Sequence, residues 1–426
     1  GIENTLIGGL AGDALTTGHF NVAVGYLALS AEDDHGRNVA VGKGALQLLN
    51  AGADGYNTAV GNLAGTAMTT GVQNTLIGGN AGDALTTGAY NTVFGYSALS
   101  SEDTGGRSTA IGYFALSQQN NDSDNYNIAI GHSACEILTT GTRNTVIGSL
   151  AADALTIGNN NTAIGFKALS TSVDGDENVA IGYLALEDYE DGDGNGHNTA
   201  VGARSQREAT TGEFNTSLGS LSMGVGVTTG DHNTALGYQA GEDLTSGVKN
   251  TIVGAQAGDA LTTGNNNVAI GYDALGSEDT GSRNIAIGQS ALSSLDYNGN
   301  GYNIAIGHNA GLNMTAGVQN TIIGPQAGDA LTTGGQNVAV GYEALSTEDS
   351  GYFNTAIGHR ALKNQDAGNA YNTAVGASAG LSVTTGLYNT VLGGEALSTN
   401  VDGDKNTAIG FRALRNFEAD TDGHGN

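Results

Sequence analysis

Tryptophan is absent from this 426-residue sequence, and proline, cysteine and methionine are scarce, with one, one and three copies. The single cysteine, Cys135, excludes an intrachain disulfide framework and reads as a small buried hydrophobe. Basic side chains are few as well: 14 lysines and arginines stand against 42 aspartates and glutamates, a formal net charge of −28. That balance excludes binding to nucleic acid or to an anionic membrane surface through a basic patch. No run of about 18 apolar residues occurs, so no helix inserts into a membrane. Missing too are a Ser/His/Asp set, a phosphate loop and paired carboxylates organised by a cleft, and the chain is read as a non-enzyme.

What is present is repetition. The pentapeptide Asn161-Thr162-Ala163-Ile164-Gly165 recurs in 24 close copies, from Asn4 through Asn21, Asn74, Asn144, Asn250 and Asn320 to Asn406. Most steps are 17 residues and the longest is 20. So short a period indicates a solenoid, each copy being one coil that stacks on its neighbours because it cannot bury its apolar side alone. The 70 glycines amount to about three per coil, without the every-third spacing of collagen.

With slots numbered from the Asn, slot two is Thr, Val or Ile and slot four is Ile, Val, Leu or Phe in every copy. This alternation predicts a short strand with slots two and four on one face and slot three, mostly Ala, on the other. Both faces are weakly apolar, which predicts a strand covered by its own coil and by a partner; the alternative leaves Ala facing water. The invariant Gly at slot five marks a corner of positive φ or close approach. Slots eight and nine, as in Ala168-Leu169-Ser170, read as a second short strand, and a polar turn returns to the next Asn. Asn at slot one predicts a ladder in which each side chain bonds its neighbours and tolerates a left-handed conformation. The expected architecture is all-β: one elongated parallel β-solenoid over residues 1–426, of about 24 coils and, at about 4.8 Å per rung, on the order of 115 Å long. Gly1-Ile2-Glu3 reads as the tail of a coil and Asn426 as the start of another, so a section of a longer array is expected.

Runs such as Asn-Val-Ala-Ile-Gly (178–182) and Asn-Ile-Ala-Ile-Gly (284–288) resemble the head repeats of YadA-like trimeric autotransporter adhesins, and similar runs occur in phage tail-fibre shafts. The resemblance covers essentially the whole chain. It implies a left-handed β-roll, a homotrimer, an extracellular or cell-surface location, and attachment to a host-cell or matrix ligand. The alternatives carried from the sequence are a head-to-tail filament of this chain and a passive calcium-stabilised spacer.

The best cation motif is Asp191-Gly192-Asp193-Gly194-Asn195-Gly196, the front half of a calcium loop in which alternate oxygens converge on a hard ion. Asp296, Asn298 and Asn300 repeat it, and Asp122 with Asp124 is a thinner version; Ca2+ is the expected cofactor, and solvated acidic turns are the plainer explanation. Tyr26, Tyr96, Tyr113, Tyr183, Tyr238, Tyr272 and Tyr342 share slot six, where stacking of coils predicts a stripe for a surface, a glycan or a second chain. Packing of the rings across coils accounts for the same pattern. Paired threonines such as Thr16-Thr17 also invite an ice-binding reading, weakened by their recurrence on only some coils.

Overall fold

A computed structural model describes residues 1–190 and 196–417. All 24 strands are three residues long and fall on slots two to four, from β1 (Thr5–Ile7) to β24 (Thr407–Ile409). The fold is all-β, a parallel β-solenoid of about 24 turns with a period of about 17 residues. Two compact units are distinguished, Gly1–Phe214 and Asn215–Asn426, each holding twelve of the strands. Within a unit each strand pairs in parallel with those of the coils before and after it, in register. Thr162, Ala163 and Ile164 of β10 (Thr162–Ile164), for example, lie opposite Val179, Ala180 and Ile181.

The chain leaves each strand through the slot-five glycine. Gly165 has φ +141°, and a β-carbon built on it lies 2.6 Å from the carbonyl carbon of Gly182 one coil on and closer still to its oxygen. Only a residue without a side chain passes there.

Which face is inside differs from one of the two expectations. The middle residue, slot three, is buried in every strand after β1, and slots two and four are never buried. Alanine therefore lines the interior, and the β-branched residues face out, which overturns the alternative with Ala in water. The reason is volume: a 17-residue coil is too narrow to hold two rows of Val or Ile.

The second strand at slots eight and nine does not form either. Slots six to nine are turns, running on to slot eleven in most coils, and slots seven and nine both take left-handed φ: Lys167 +54° and Leu169 +56° flank Ala168. This alternation turns successive N–H groups in opposite directions along the stack. Lys167 N donates to Ser149 O of the preceding coil (3.1 Å), and Leu169 N to Ala185 O of the following one (3.0 Å). Coil-to-coil hydrogen bonds thus replace a strand ladder. The left-handed residue near the Asn is likewise the one before it, such as Asn160 (φ +58°), and not the Asn itself.

The interior is built from slots three, eight, nine and twelve, and their volumes compensate. Where slot nine is Gly, slot twelve is large: Gly82 sits beside Leu85 and Leu76, whose methyls occupy the space its β-carbon would enter. Where slot nine is Leu, as at Leu29 and Leu169, slot three is Ala, or Val in the coils of Leu99 and Leu397. One coil does not close this core by itself. Leu6 in β1, with a neighbour on one side only, is 43% exposed, whereas Leu76 in the same slot is fully buried. Cys135 occupies slot nine, is buried and free, and burial pushes its thiol far above the ordinary range. Among the described residues no helix is long and apolar enough to cross a membrane.

Candidate functional site

Three features recur along the coils: a column of buried amides, an uncharged outer face, and a set of acidic corners.

The column is formed by the slot-one asparagines. Asn161 N donates to Asn144 Oδ1 (3.0 Å), and Asn178 N donates in turn to Asn161 Oδ1 (2.9 Å). The amide nitrogen Nδ2 of Asn161 donates to Gly175 O (2.7 Å), which ties the turn to the strand. The same bond recurs from Asn4 to Gly18, Asn74 to Gly88, Asn144 to Gly158, Asn250 to Gly264 and Asn320 to Gly334, and Asn21 reaches His35 O instead. Ser108 is the one substitution. There Gln119 from slot twelve fills the vacated space, donating to Ser108 Oγ (3.0 Å) and accepting from Asn127 Nδ2 (2.8 Å).

The outer face consists of slots two and four, and no charged or amide side chain occurs at either in any of the 24 strands. Phe94 (54% exposed), Leu218, Leu236 and Leu392 stand out from it. Aromatic rows border it. At slot six Tyr26, Tyr96, Tyr113, Tyr183, Tyr238, Tyr272 and Tyr342 are all exposed. Some of them stack on their neighbours, Tyr96 on Tyr113 at 5.6 Å and Tyr113 on His132 at 5.3 Å. On the other border Phe353, Tyr371 and Tyr388 stack at 4.8 and 5.5 Å, and Arg107 lies over the rings of Tyr90 and Tyr126. Rings stacked this way offer edges outward, which suits packing against a surface better than face-on contact with a sugar. The slot-thirteen hydroxyls of Thr16, Thr86 and Thr156 donate to backbone carbonyls of the next coil, so those hydroxyls do not form a free array.

The acidic residues divide differently from the motifs. Asp191, Asp193 and Asn195 lie outside the described residues. Asp122 accepts from Thr104 Oγ1 (3.1 Å), and Asp124 pairs with Arg107 (2.7 Å). Asn298 Oδ1 accepts from Thr280, Asn300 bridges Ser282, and Asp296 turns instead toward Glu278 and Asp279. The glutamates were hidden in what looked like polar turns. Glu32, Glu102, Glu278 and Glu348 occupy slot twelve and are fully buried, in the place that Leu85 or Met68 takes in other coils. Aligning slot twelve across coils, where Leu is the commonest residue, marks it as an interior position. Burial raises all four carboxyls, Glu278 to about 7.

Burial also raises Asp83, Asp153, Asp259 and Asp329, the slot-ten aspartates of the Ala-Gly-Asp and Ala-Ala-Asp coils, and Asp83 Oδ1 and Asp329 Oδ1 have no hydrogen-bond partner. A carboxyl raised on folding binds its proton more tightly folded than unfolded. Its contribution is complete below the ordinary value of 3.8 and is lost as pH rises through the higher folded value. Thermal stability is therefore expected to fall from pH 4 to pH 7, and Asp329→Asn to flatten that slope, raising the melting temperature at pH 7 relative to wild type. A melt of both proteins across this range checks it; an unchanged slope in the variant removes the aspartate from the account.

No protein-family model matches the chain, and no curated protein matches it either.

Proposed function

We propose that the protein is a non-enzymatic structural and adhesive element of the extracellular space or cell surface, whose uncharged outer face docks on further copies of the same chain. The outer face carries this reading. In a chain of net charge −28, two copies repel one another over most of their surface. The face formed by slots two and four is where they approach without opposing charges, and its Val, Ile, Leu and Phe side chains gain from leaving water. Sheets pack face to face at about 10 Å, and the bordering aromatic rows extend the area such packing would bury. A homotrimer, as in the adhesin heads that the repeats resemble, closes such faces around an axis and leaves the turns free for a host-cell or matrix ligand.

Light scattering of the purified full chain tests the assembly. A closed oligomer is expected, and Phe94→Lys combined with Ile147→Lys, both at exposed strand positions, is expected to reduce it toward the single-chain mass with an unchanged circular-dichroism spectrum. Wild-type protein that runs as a single chain overturns the proposal. Long fibres by electron microscopy favour the head-to-tail filament instead.

A further inference from the structure

The same buried corner recurs at Glu32, Glu102, Glu278 and Glu348, and its surroundings differ from coil to coil. At Glu102 the carboxylate is saturated by neutral donors: Gly105 N (2.7 Å), Asn125 Nδ2 (2.9 Å), Gln119 Nε2 (3.1 Å) and Asn121 N (3.3 Å). The residue at slot thirteen of the following coil is Asn120, which is uncharged. At Glu278 the amide partner is replaced by Leu295, and the slot-thirteen residue is a carboxylate, Asp296. Glu278 keeps only the N–H groups of Gly281 (2.6 Å) and Tyr297 (3.4 Å). At Glu348 the glutamine is retained as Gln365 (3.1 Å), and Asp366 again supplies a carboxylate.

In these two corners, four coils apart in the unit Asn215–Asn426, three carboxylates converge. One oxygen from each of Glu278, Asp279 and Asp296 lies within 4.8 Å of the other two, and so it is with Glu348, Asp349 and Asp366. Oxygens bound to one calcium-sized ion at about 2.3–2.6 Å are at most about 5 Å apart, so each trio has the span of a first coordination sphere. Among the described residues, no lysine, arginine or histidine lies within 4.0 Å of any of the six carboxylates.

A second observation, independent of the clustering, is unpaired buried oxygen. Glu348 is fully buried, and no donor meets its Oε1 in hydrogen-bond geometry, although the Ser350 backbone lies close enough to pull the carboxyl down. In the other corner both oxygens of the buried Glu278 already accept, from Gly281 N and Tyr297 N, so that trio lacks this feature. A buried carboxylate oxygen left without a donor is destabilising unless something positive meets it.

We propose that Glu348, Asp349 and Asp366 hold one hard divalent cation that clips a coil to the next. Glu348 and Asp349 come from one coil and Asp366 from the coil after it, so the ion bridges two rungs where the longer turn leaves the stack. Oxygen-only donors select calcium or magnesium over zinc or copper, and water completes the sphere from the exposed side, where Asp366 lies. This inference does not depend on the self-docking reading.

Isothermal titration of the chelator-stripped full chain with CaCl2, and in a separate arm with MgCl2, tests it. Saturable binding of one of the two ions is expected, with Asp366→Asn removing one site or weakening it at least tenfold. The substitution sits at an exposed position and installs the amide that the chain itself carries at Asn120, so the variant is expected to fold; circular dichroism verifies this. Glu348→Gln gives the same loss from inside the coil. Wild-type chain that takes up neither ion, or a folded aspartate variant that binds with unchanged stoichiometry and affinity, overturns the proposal.

Discussion

Replacing Gly165 by alanine lowers the stability of the unit Gly1–Phe214 by about 3–5 kcal/mol, the largest effect expected of any single methyl group in it. Two terms combine. The backbone at φ +141° is in a region that residues with a β-carbon avoid, and the added carbon meets backbone, 2.6 Å from the Gly182 carbonyl carbon. Backbone of a neighbouring coil has little freedom to give way, since Gly182 N is bonded to Ile164 O at 2.8 Å. The comparison is Gly82→Ala. There φ is +54°, an angle that Leu99 and Leu116 adopt in the same slot, and the β-carbon meets the methyls of Leu85 and Leu76. That substitution is expected to cost about 1 kcal/mol. Denaturant titration of the two variants decides the matter, with hydrogen exchange showing whether loss centres on the altered coil. Equal tolerance of both would mean that the glycine column is not held by backbone contact.

Removing one amide from the asparagine column is the second large effect. In Asn161→Ala the Gly175 carbonyl and the Asn178 N–H lose their partner in a place water does not reach, while Asn144 Oδ1 keeps the Asn161 N–H. At about 1–3 kcal/mol for each unsatisfied buried group, the loss is about 2–5 kcal/mol. Asn161→Ser is expected to be nearly as harmful although Ser108 occupies the same slot. Ser108 works because Gln119 supplies the missing donor and acceptor; the equivalent residue beside Asn161 is Ser172, which is too short and already accepts from Gly175 N (3.2 Å). The converse follows: Gln119→Leu deprives both Ser108 and Asn127 and is expected to destabilise its coil by about 2–4 kcal/mol. Thermal melts of the three variants measure this, and a well-tolerated Asn161→Ser would show that stacking proceeds without the amide column.

Both predictions concern residues that point along or into the stack, where each side chain or corner is repeated at the same height in the next coil. A fault there is met by two neighbours and not by solvent. The outer face is the reverse case: Phe94 and Ile147 touch no following coil through buried polar groups, so charged substitutions at these positions are expected to leave the coil intact and to alter only what docks on it. This separates substitutions that report on the fold from those that report on assembly.

From the residues alone, the period, the strand at slots two to four, the glycine corner and the asparagine positions were all legible, because each depends on a residue type that local backbone geometry demands. Thr162, Ile164 and Gly165 announce a strand and its end whatever surrounds them. The facing of that strand was not legible, since Ala163 and Ile164 are both apolar and only the width of the finished coil decides which one fits inside. Nor was the left-handed turn through Lys167 and Leu169, a conformation unfavourable for either residue in isolation and adopted because the coils above and below accept its hydrogen bonds. Glu278 and Glu348 looked like members of solvated turns for the same reason: their burial, and their approach to Asp296 and Asp366, arise only when a coil 17 residues or more away is laid directly on top.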